Sequence, residues 1–234
     1  MQNQQILFMT PPCVELAELK NLFFQLSNKT CNLKCQYCYI KQDLYQNKAD
    51  FLDTEKIKQT LLAVKSLNLS SIYLTGGEPL MHPDFNQILR MCLKVSNTTV
   101  LSNGVMINDK KARFLRKIDD ESNFETIYRI SLDSTNELEN DKYRGRGSFR
   151  KAISAIMSLV KYEFNPIISV VNYNNKSRNE IFNEFQSYFS RKDFILEDIN
   201  LKIIPYFSNT EDFVELNQNI NTSKLDCANS RIIS

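Results

Sequence analysis

Short strand-like segments alternate with longer segments of helical spacing over residues 22–206, and this alternation limits the fold more than any other feature of the chain. β-branched and aromatic runs predict strands at 22–27, 71–75, 98–101, 126–130, 167–171 and 201–204. Right-handed crossovers between parallel strands place every intervening helix on one side of a curling sheet. The sequence therefore predicts an α/β fold, a partial (β/α)6 barrel of the TIM type.

The 234 residues are enough for one domain with a substantial core. We expect a lead-in at 1–19, a barrel core at 20–207 and a short polar tail at 208–234. The tail contains Cys227, which fits either a truncated cysteine-containing extension or an ordinary free thiol.

A helix-forming segment, predicted after a loop at 141–147, contains Phe149 and Ile156 at helical spacing.

Charge and hydropathy narrow the class of partner. The formal net charge is +2, and no lysine-rich block suggests nucleic acid or an anionic membrane as a ligand. The apolar run at 6–9 is too short for a signal peptide or a membrane span. We expect a cytoplasmic protein, and in that reducing compartment its six cysteines indicate metal binding rather than disulfides.

A polar or glycine-rich motif follows each predicted strand. Parallel barrels build their active sites from the loops at the C-terminal ends of the strands, so these motifs should surround one cavity. In chain order they are the loop with Cys31, Cys35 and Cys38, then Gly76-Gly77-Glu78-Pro79, Ser102-Asn103-Gly104, Ser131-Leu132-Asp133-Ser134, Asn172, and Pro205.

The loop with Cys31, Cys35 and Cys38 predicts a metal centre. Three thiolates on one short loop suit a soft metal or an iron–sulfur cluster. A closed zinc site needs a fourth protein ligand, whereas a four-iron cluster held by three cysteines keeps one iron open. His82 is the only histidine, and its position before Pro83 favours a helix cap or a surface residue over a zinc ligand. A zinc knuckle stays open as the alternative.

Each of the other motifs also has an ordinary structural interpretation. Gly76-Gly77 is typical of a tight turn, and glycine also allows close approach of backbone to a ligand. Ser131 and Asp133 could cap the next helix. Arg144 lies in a basic segment that would usually be solvated, although its guanidinium suits a carboxylate. Cys92 lies on an apolar helical face and is expected in the core.

The cysteine spacing Cys-x3-Cys-x2-Cys, together with Gly-Gly-Glu-Pro after the second strand, resembles the radical S-adenosylmethionine (SAM) superfamily. The resemblance covers residues 22–206 and is closest to the branch with molybdenum-cofactor, peptide-maturing and haem-modifying members. It implies that Cys31, Cys35 and Cys38 hold a [4Fe-4S] cluster whose fourth iron is chelated by SAM.

The same resemblance implies a set of SAM contacts. Gly76, Gly77 and Glu78 would hold the methionyl amino group. Ser102, Ser131 and Arg144 would bind the methionyl carboxylate or the ribose. Tyr37 would lie against the adenine, and Asn172 and Pro205 would line the nucleoside side.

The activity implied by the resemblance is reductive cleavage of SAM to a 5′-deoxyadenosyl radical, which abstracts hydrogen from a substrate. A low-potential donor such as flavodoxin or ferredoxin would supply the electron. The substrate, a peptide, a protein or a small metabolite, is not readable from the sequence, and no acid–base pair is identified. A non-catalytic iron–sulfur module, acting as sensor or electron carrier, and a zinc-stabilised binding protein stay open as alternatives.

Overall fold

The computed structural model describes residues 16–38, 50–197, 200–206 and 229–234. Seven strands form one sheet in the order β6-β5-β4-β3-β2-β1-β7, and every neighbouring pair is parallel. The strands are β1 (Asn21–Gln25), β2 (Ser71–Thr75), β3 (Thr98–Ser102), β4 (Thr126–Ser131), β5 (Ile167–Asn172), β6 (Leu201–Pro205) and β7 (Ser230–Ile233).

Helices connect the strands of the described chain. They are α1 (Thr54–Val64), α2 (Phe85–Cys92), α3 (Asp109–Asp120), α4 (Glu137–Arg144), α5 (Ser148–Lys161) and α6 (Arg178–Ser190), with a 3-10 turn at Pro79–Met81. Asp53 caps α1 by accepting a hydrogen bond from the Glu55 amide. Ser177 and Glu180 form a capping box at the start of α6.

The core lies between the helices and one face of the sheet. The core position predicted for Cys92 is confirmed, since Cys92 and Phe85 in α2 are fully buried, as is Ile57 in α1. Alternate strand residues are buried against these helices, as in β4, where Tyr128 and Ile130 are in the core. The other face of the sheet is concave and carries half-buried side chains.

The predicted partial barrel is confirmed, with two differences in its elements. Residues 141–144, predicted as loop, form the last turn of α4, which Asn136 caps with its side-chain oxygen. Strand β7 was not predicted and pairs with β1.

Most of the predicted lead-in (1–15) and of the tail (207–228, with Cys227) lies outside the described residues, and the domain bounds stay a prediction. None of the described helices is both long and apolar enough to span a bilayer.

Candidate functional site

The cysteine loop begins directly after β1, where the chain turns at Ser27. The Ser27 hydroxyl accepts hydrogen bonds from the amides of Lys29 at 3.2 Å and Thr30 at 2.7 Å. This local turn directs the following residues over the C-terminal end of the sheet. Cys31, Cys35 and Cys38 are half-buried free thiols.

Gly76 and Gly77 allow the start of the cysteine loop to lie against the segment after β2. The Gly77 amide donates to the Ser27 carbonyl at 2.9 Å, and the Glu78 amide donates to the Thr30 carbonyl at 3.0 Å. A Cβ on Gly77 would be 2.1 Å from the Thr30 oxygen, and one on Gly76, whose φ is +123°, would be 2.5 Å from the Ser27 oxygen. The glycine pair is thus required by backbone-to-backbone contact within the protein.

Glu78 is only 1% exposed and binds groups of the neighbouring strand end. Its carboxylate accepts hydrogen bonds from the Ser102 hydroxyl at 2.9 Å, the Asn103 amide at 2.8 Å and the Leu80 amide at 3.2 Å. These are protein groups and not the methionyl amino group predicted for Glu78. The predicted contact of Glu78 with the methionyl amino group stays a prediction.

The stability of the fold should depend on pH through Glu78. Burial raises the pKa of its carboxyl to about 7, and the three hydrogen-bond donors offset only part of this effect. The unfolded chain, with a pKa near 4.5, therefore releases this proton first as the pH rises. We expect Glu78 to lower the free energy of unfolding by up to about 3 kcal/mol as the pH rises from about 4.5 to about 7.

Urea unfolding of the apo-protein between pH 4.5 and 7.5 would measure this dependence, with Glu78→Gln as the reference that cannot titrate. The wild-type free energy of unfolding should fall with pH more steeply than that of the variant. Equal slopes would contradict the expectation and would mean that the donors keep Glu78 ionised throughout.

Asn103 links the segment after β3 to the cysteine loop. Its side-chain amide donates to the Asn32 side-chain oxygen at 2.7 Å and lies 3.7 Å from the Cys31 sulfur. Its own oxygen accepts from the Val105 amide at 2.9 Å, which fixes the orientation of the side chain. The sequence places Ser102-Asn103-Gly104 after a strand. It does not show which segment the Asn103 side-chain amide contacts.

Asp133 and Arg144 form a buried ion pair at the end of β4. The guanidinium donates from Nε to Oδ2 at 2.7 Å and from Nη2 to Oδ1 at 3.1 Å. Asp133 also accepts from the Tyr37 hydroxyl and from the Val171 amide. The ordinary alternatives, a solvated Arg144 and a helix-capping Asp133, do not apply, since both side chains are buried and Asn136 caps α4. The predicted contact of Arg144 with SAM stays a prediction.

The C-terminal end of α4 holds the cysteine loop from the side opposite to the glycine pair. The Gln36 amide donates to the Tyr143 carbonyl at 2.8 Å, and the Gln36 side chain donates to the Lys142 carbonyl at 2.9 Å. The Cys35 sulfur lies 3.9 Å from the Arg144 carbonyl. Carbonyls at a helix end have no partner within the helix, so the loop satisfies them.

The three thiols form a donor set that fits an iron–sulfur cluster. Burial raises the pKa of Cys35 to about 11; the charge of Arg144 opposes this increase, and the neighbouring Cys31 and Cys38 add to it. Within the described ranges, no three His, Cys, Asp or Glu side chains converge on one metal ion. A cluster suits this spacing, because each cysteine binds a different iron, and bound iron would favour the thiolates.

The remaining predicted residues lie around the same strand ends. Ser131 is half-buried on the concave face of the sheet. The Asn172 side chain accepts from the Lys176 amide at 3.1 Å and donates to the Lys176 carbonyl at 2.7 Å, which closes the turn before α6. Pro205 is exposed at the end of β6 and pairs in register with Asn172.

His82 has a structural role at the entry to α2. Its Nδ1 accepts from the Asp84 amide at 3.0 Å, and its Nε2 lies 2.9 Å from the Leu52 carbonyl. The predicted capping role agrees with this geometry, although the side chain is buried rather than at the surface. Both ring nitrogens contact backbone groups, so the ring is not directed toward the cysteine loop.

An aromatic rim, which the sequence did not indicate, extends outward from Tyr37. The ring of Tyr37 lies 6.4 Å from that of Tyr143 and 6.3 Å from that of Tyr206, and Tyr143 lies 3.9 Å from Tyr173. These tyrosines come from four separate segments of the chain, so only the folded topology brings them together.

Comparison with known proteins identifies the family. Residues 27–182 match the Radical SAM superfamily. The chain is 32% identical over 138 residues to the antilisterial bacteriocin subtilosin biosynthesis protein AlbA of Bacillus subtilis, which covers 58% of this chain and 29% of AlbA. It is 28% identical over 187 residues to a probable GTP 3′,8-cyclase of Archaeoglobus fulgidus, with 76% of this chain and 60% of the cyclase covered.

The chain thus spans less than two thirds of the length of either relative. Among solved structures, native anSMEcpe with bound AdoMet superimposes with a TM-score of 0.62 at 23% identity, covering 80% of this chain and 51% of the other. At this identity the likeness shows the fold alone. The chain belongs to the radical SAM superfamily, a family of enzymes that use a [4Fe-4S] cluster and S-adenosylmethionine.

Proposed function

We propose that this chain is a radical SAM enzyme whose cluster is held by Cys31, Cys35 and Cys38. The observation that carries the proposal is the position of these thiols at the C-terminal end of the parallel sheet, between the glycine pair and α4. When bound, the cluster and SAM supply a 5′-deoxyadenosyl radical that takes a hydrogen atom from the substrate.

The residues around the cysteine loop would bind and orient SAM. The segment Gly76-Gly77-Glu78 would hold the methionyl amino group. Ser131 and Arg144 would bind the carboxylate or ribose, and the ion pair with Asp133 leaves the Nη1 group of Arg144 available for this contact. Ser102 would contribute through its hydrogen bond to Glu78. Tyr37 would contact the adenine, with Asn172 and Pro205 on the nucleoside side.

The protein's own contribution is orientation and exclusion of water. A carbon radical attacks any nearby C–H bond, so the substrate must be held as the closest one. The substrate would be a peptide, a protein or a small metabolite, which agrees with the bacteriocin-biosynthesis and GTP-cyclase relatives. A flavodoxin or ferredoxin would deliver the electron in the cytoplasm.

Anaerobic reconstitution with iron and sulfide tests this function. We expect the dithionite-reduced protein to show a [4Fe-4S] electron paramagnetic resonance signal that shifts on adding SAM, with slow formation of 5′-deoxyadenosine by chromatography. A cluster that is indifferent to SAM would instead support a non-catalytic sensor or electron carrier. Bound zinc and a colourless preparation would support a zinc-stabilised binding protein.

A further inference from the structure

The concave face of the sheet carries positive charge and no negative charge from its strands. None of the seven described strands contains Asp or Glu. Arg129 lies two residues before Ser131 on β4, and therefore on the same face of the sheet. Ser131 pairs with Ser169, and Ser169 pairs with Lys202, so both cations are on this face.

This face is the one that the helices leave uncovered. The residues that flank Arg129 in β4, Tyr128 and Ile130, are fully buried in the core under the helices. Arg129 itself is half-buried among the side chains of the concave face. Nearby strands add the stacked rings of Phe23 and Tyr73, whose centroids are 4.3 Å apart. The guanidinium is thus partly shielded from water on this face.

Among the described residues, the hydrogen bonds of the Arg129 guanidinium go to one neutral group, and the Tyr73 phenol is near enough to interact with its charge. Its Nε and Nη2 both donate to the Ser169 hydroxyl, at 3.3 and 3.2 Å. A guanidinium has five N–H donors, so most of its capacity is unused by this single oxygen. In the described part of the chain no carboxylate lies within ion-pair distance of Arg129 or Lys202.

Other shielded arginines of this chain are neutralised by carboxylates. The buried Arg144 binds both oxygens of Asp133, and the half-buried Arg116 pairs with Asp119 at 3.0 Å and Asp120 at 2.8 Å. Shielding a cation from water without pairing it with an anion is unfavourable. A bound anion would pair with the cation and offset this unfavourable free energy. Arg129 therefore has the properties of a binding residue and not of a structural ion pair.

We propose that Arg129 binds an oxyanion of the substrate, a carboxylate or a phosphate group, on the concave face of the sheet, where Lys202 adds positive charge two strands away. The fork of a guanidinium matches both groups, and charge-assisted hydrogen bonds are strong in a partly desolvated site. The proposal rests on the proposed function, because the concave face leads to the strand ends where the cysteine loop lies. It assigns the substrate to the class of acidic compounds.

Protection from phenylglyoxal, an arginine-specific reagent, tests this subsite in the apo-protein. The probes are inorganic pyrophosphate and glutarate, and mass spectrometry of peptides measures the modification of each arginine. At about ten times its dissociation constant, a bound anion should slow the modification of Arg129 about tenfold. Arg150, whose side chain is 78% exposed, is the internal control and should react at an unchanged rate.

Calorimetric titration of the same two anions covers the case in which phenylglyoxal does not reach Arg129. Arg129→Gln should weaken binding by at least about tenfold, Arg129→Lys less, and Arg150→Gln not at all. Preference for pyrophosphate would identify a phosphate subsite, and preference for glutarate a carboxylate subsite. If the wild type binds neither anion, or binds it as well without Arg129, the proposal is overturned. Neither measurement needs the cluster, so this failure is separate from failure to cleave SAM.

Discussion

Replacing Cys31, Cys35 or Cys38 singly with alanine should lower the iron content of the reconstituted protein by at least about tenfold. Each cysteine would bind one iron, and the loop supplies only these three thiols, so two remaining ligands cannot hold a cluster. Iron and sulfide assays and the absorbance of the reconstituted protein measure the loss. Formation of 5′-deoxyadenosine should fall with it.

Cys92→Ala is the matched control for these variants. Cys92 is fully buried on α2 in the hydrophobic core, and it has no contact with the cysteine loop in the described structure. The control should lower the free energy of unfolding by about 1 kcal/mol, because it leaves a small cavity, and it should leave iron loading unchanged. Iron loading of an alanine variant at the wild-type level would remove that cysteine from the proposed ligand set.

The periodicity of the sequence predicts those elements whose stability comes from burying one face. The strand at Ser71–Thr75, the core position of Cys92 on α2 and the helix containing Phe149 and Ile156 are predicted in this way. Helix α4 was not, because its residues Glu-Leu-Glu-Asn-Asp-Lys-Tyr-Arg are mostly polar. This helix serves the site through the carbonyls of its C-terminal end, and no side-chain pattern encodes that use.

The sequence also predicts which motifs gather at the site, but not how they contact one another. The order of strands places Gly76-Gly77 and the cysteine loop at one edge of the sheet. It does not show that Glu78 binds Ser102 and Asn103, or that Asp133 pairs with Arg144. Such pairings depend on burial and side-chain direction, which are set only when the sheet is complete. Strand β7 was missed for a similar reason, since its four residues pair with a strand far away in the chain.

Gly77→Ala should displace the cysteine loop and is the second substitution with a large expected effect. A Cβ at this position would be 2.1 Å from the Thr30 oxygen and 2.7 Å from the Thr30 carbonyl carbon, and both atoms belong to backbone that leads directly into Cys31. We expect the free energy of unfolding to fall by about 3 kcal/mol, or the loop to move and iron loading to fall severalfold. Urea unfolding and iron assays measure the two effects separately.

Gly147→Ala separates this steric effect from backbone strain. Gly147 has a φ of +80°, but a Cβ there would meet no atom within 4 Å. The free energy of unfolding of Gly147→Ala should therefore fall by about 1–2 kcal/mol, because alanine is strained in the left-handed conformation. This control should load iron normally. Gly77 has no such positive φ. If the free energy of unfolding falls more in Gly77→Ala than in Gly147→Ala, the additional decrease arises from contact with Thr30. If Gly77→Ala were as stable as the wild type and loaded the same iron, the cysteine loop would not depend on the close approach described above.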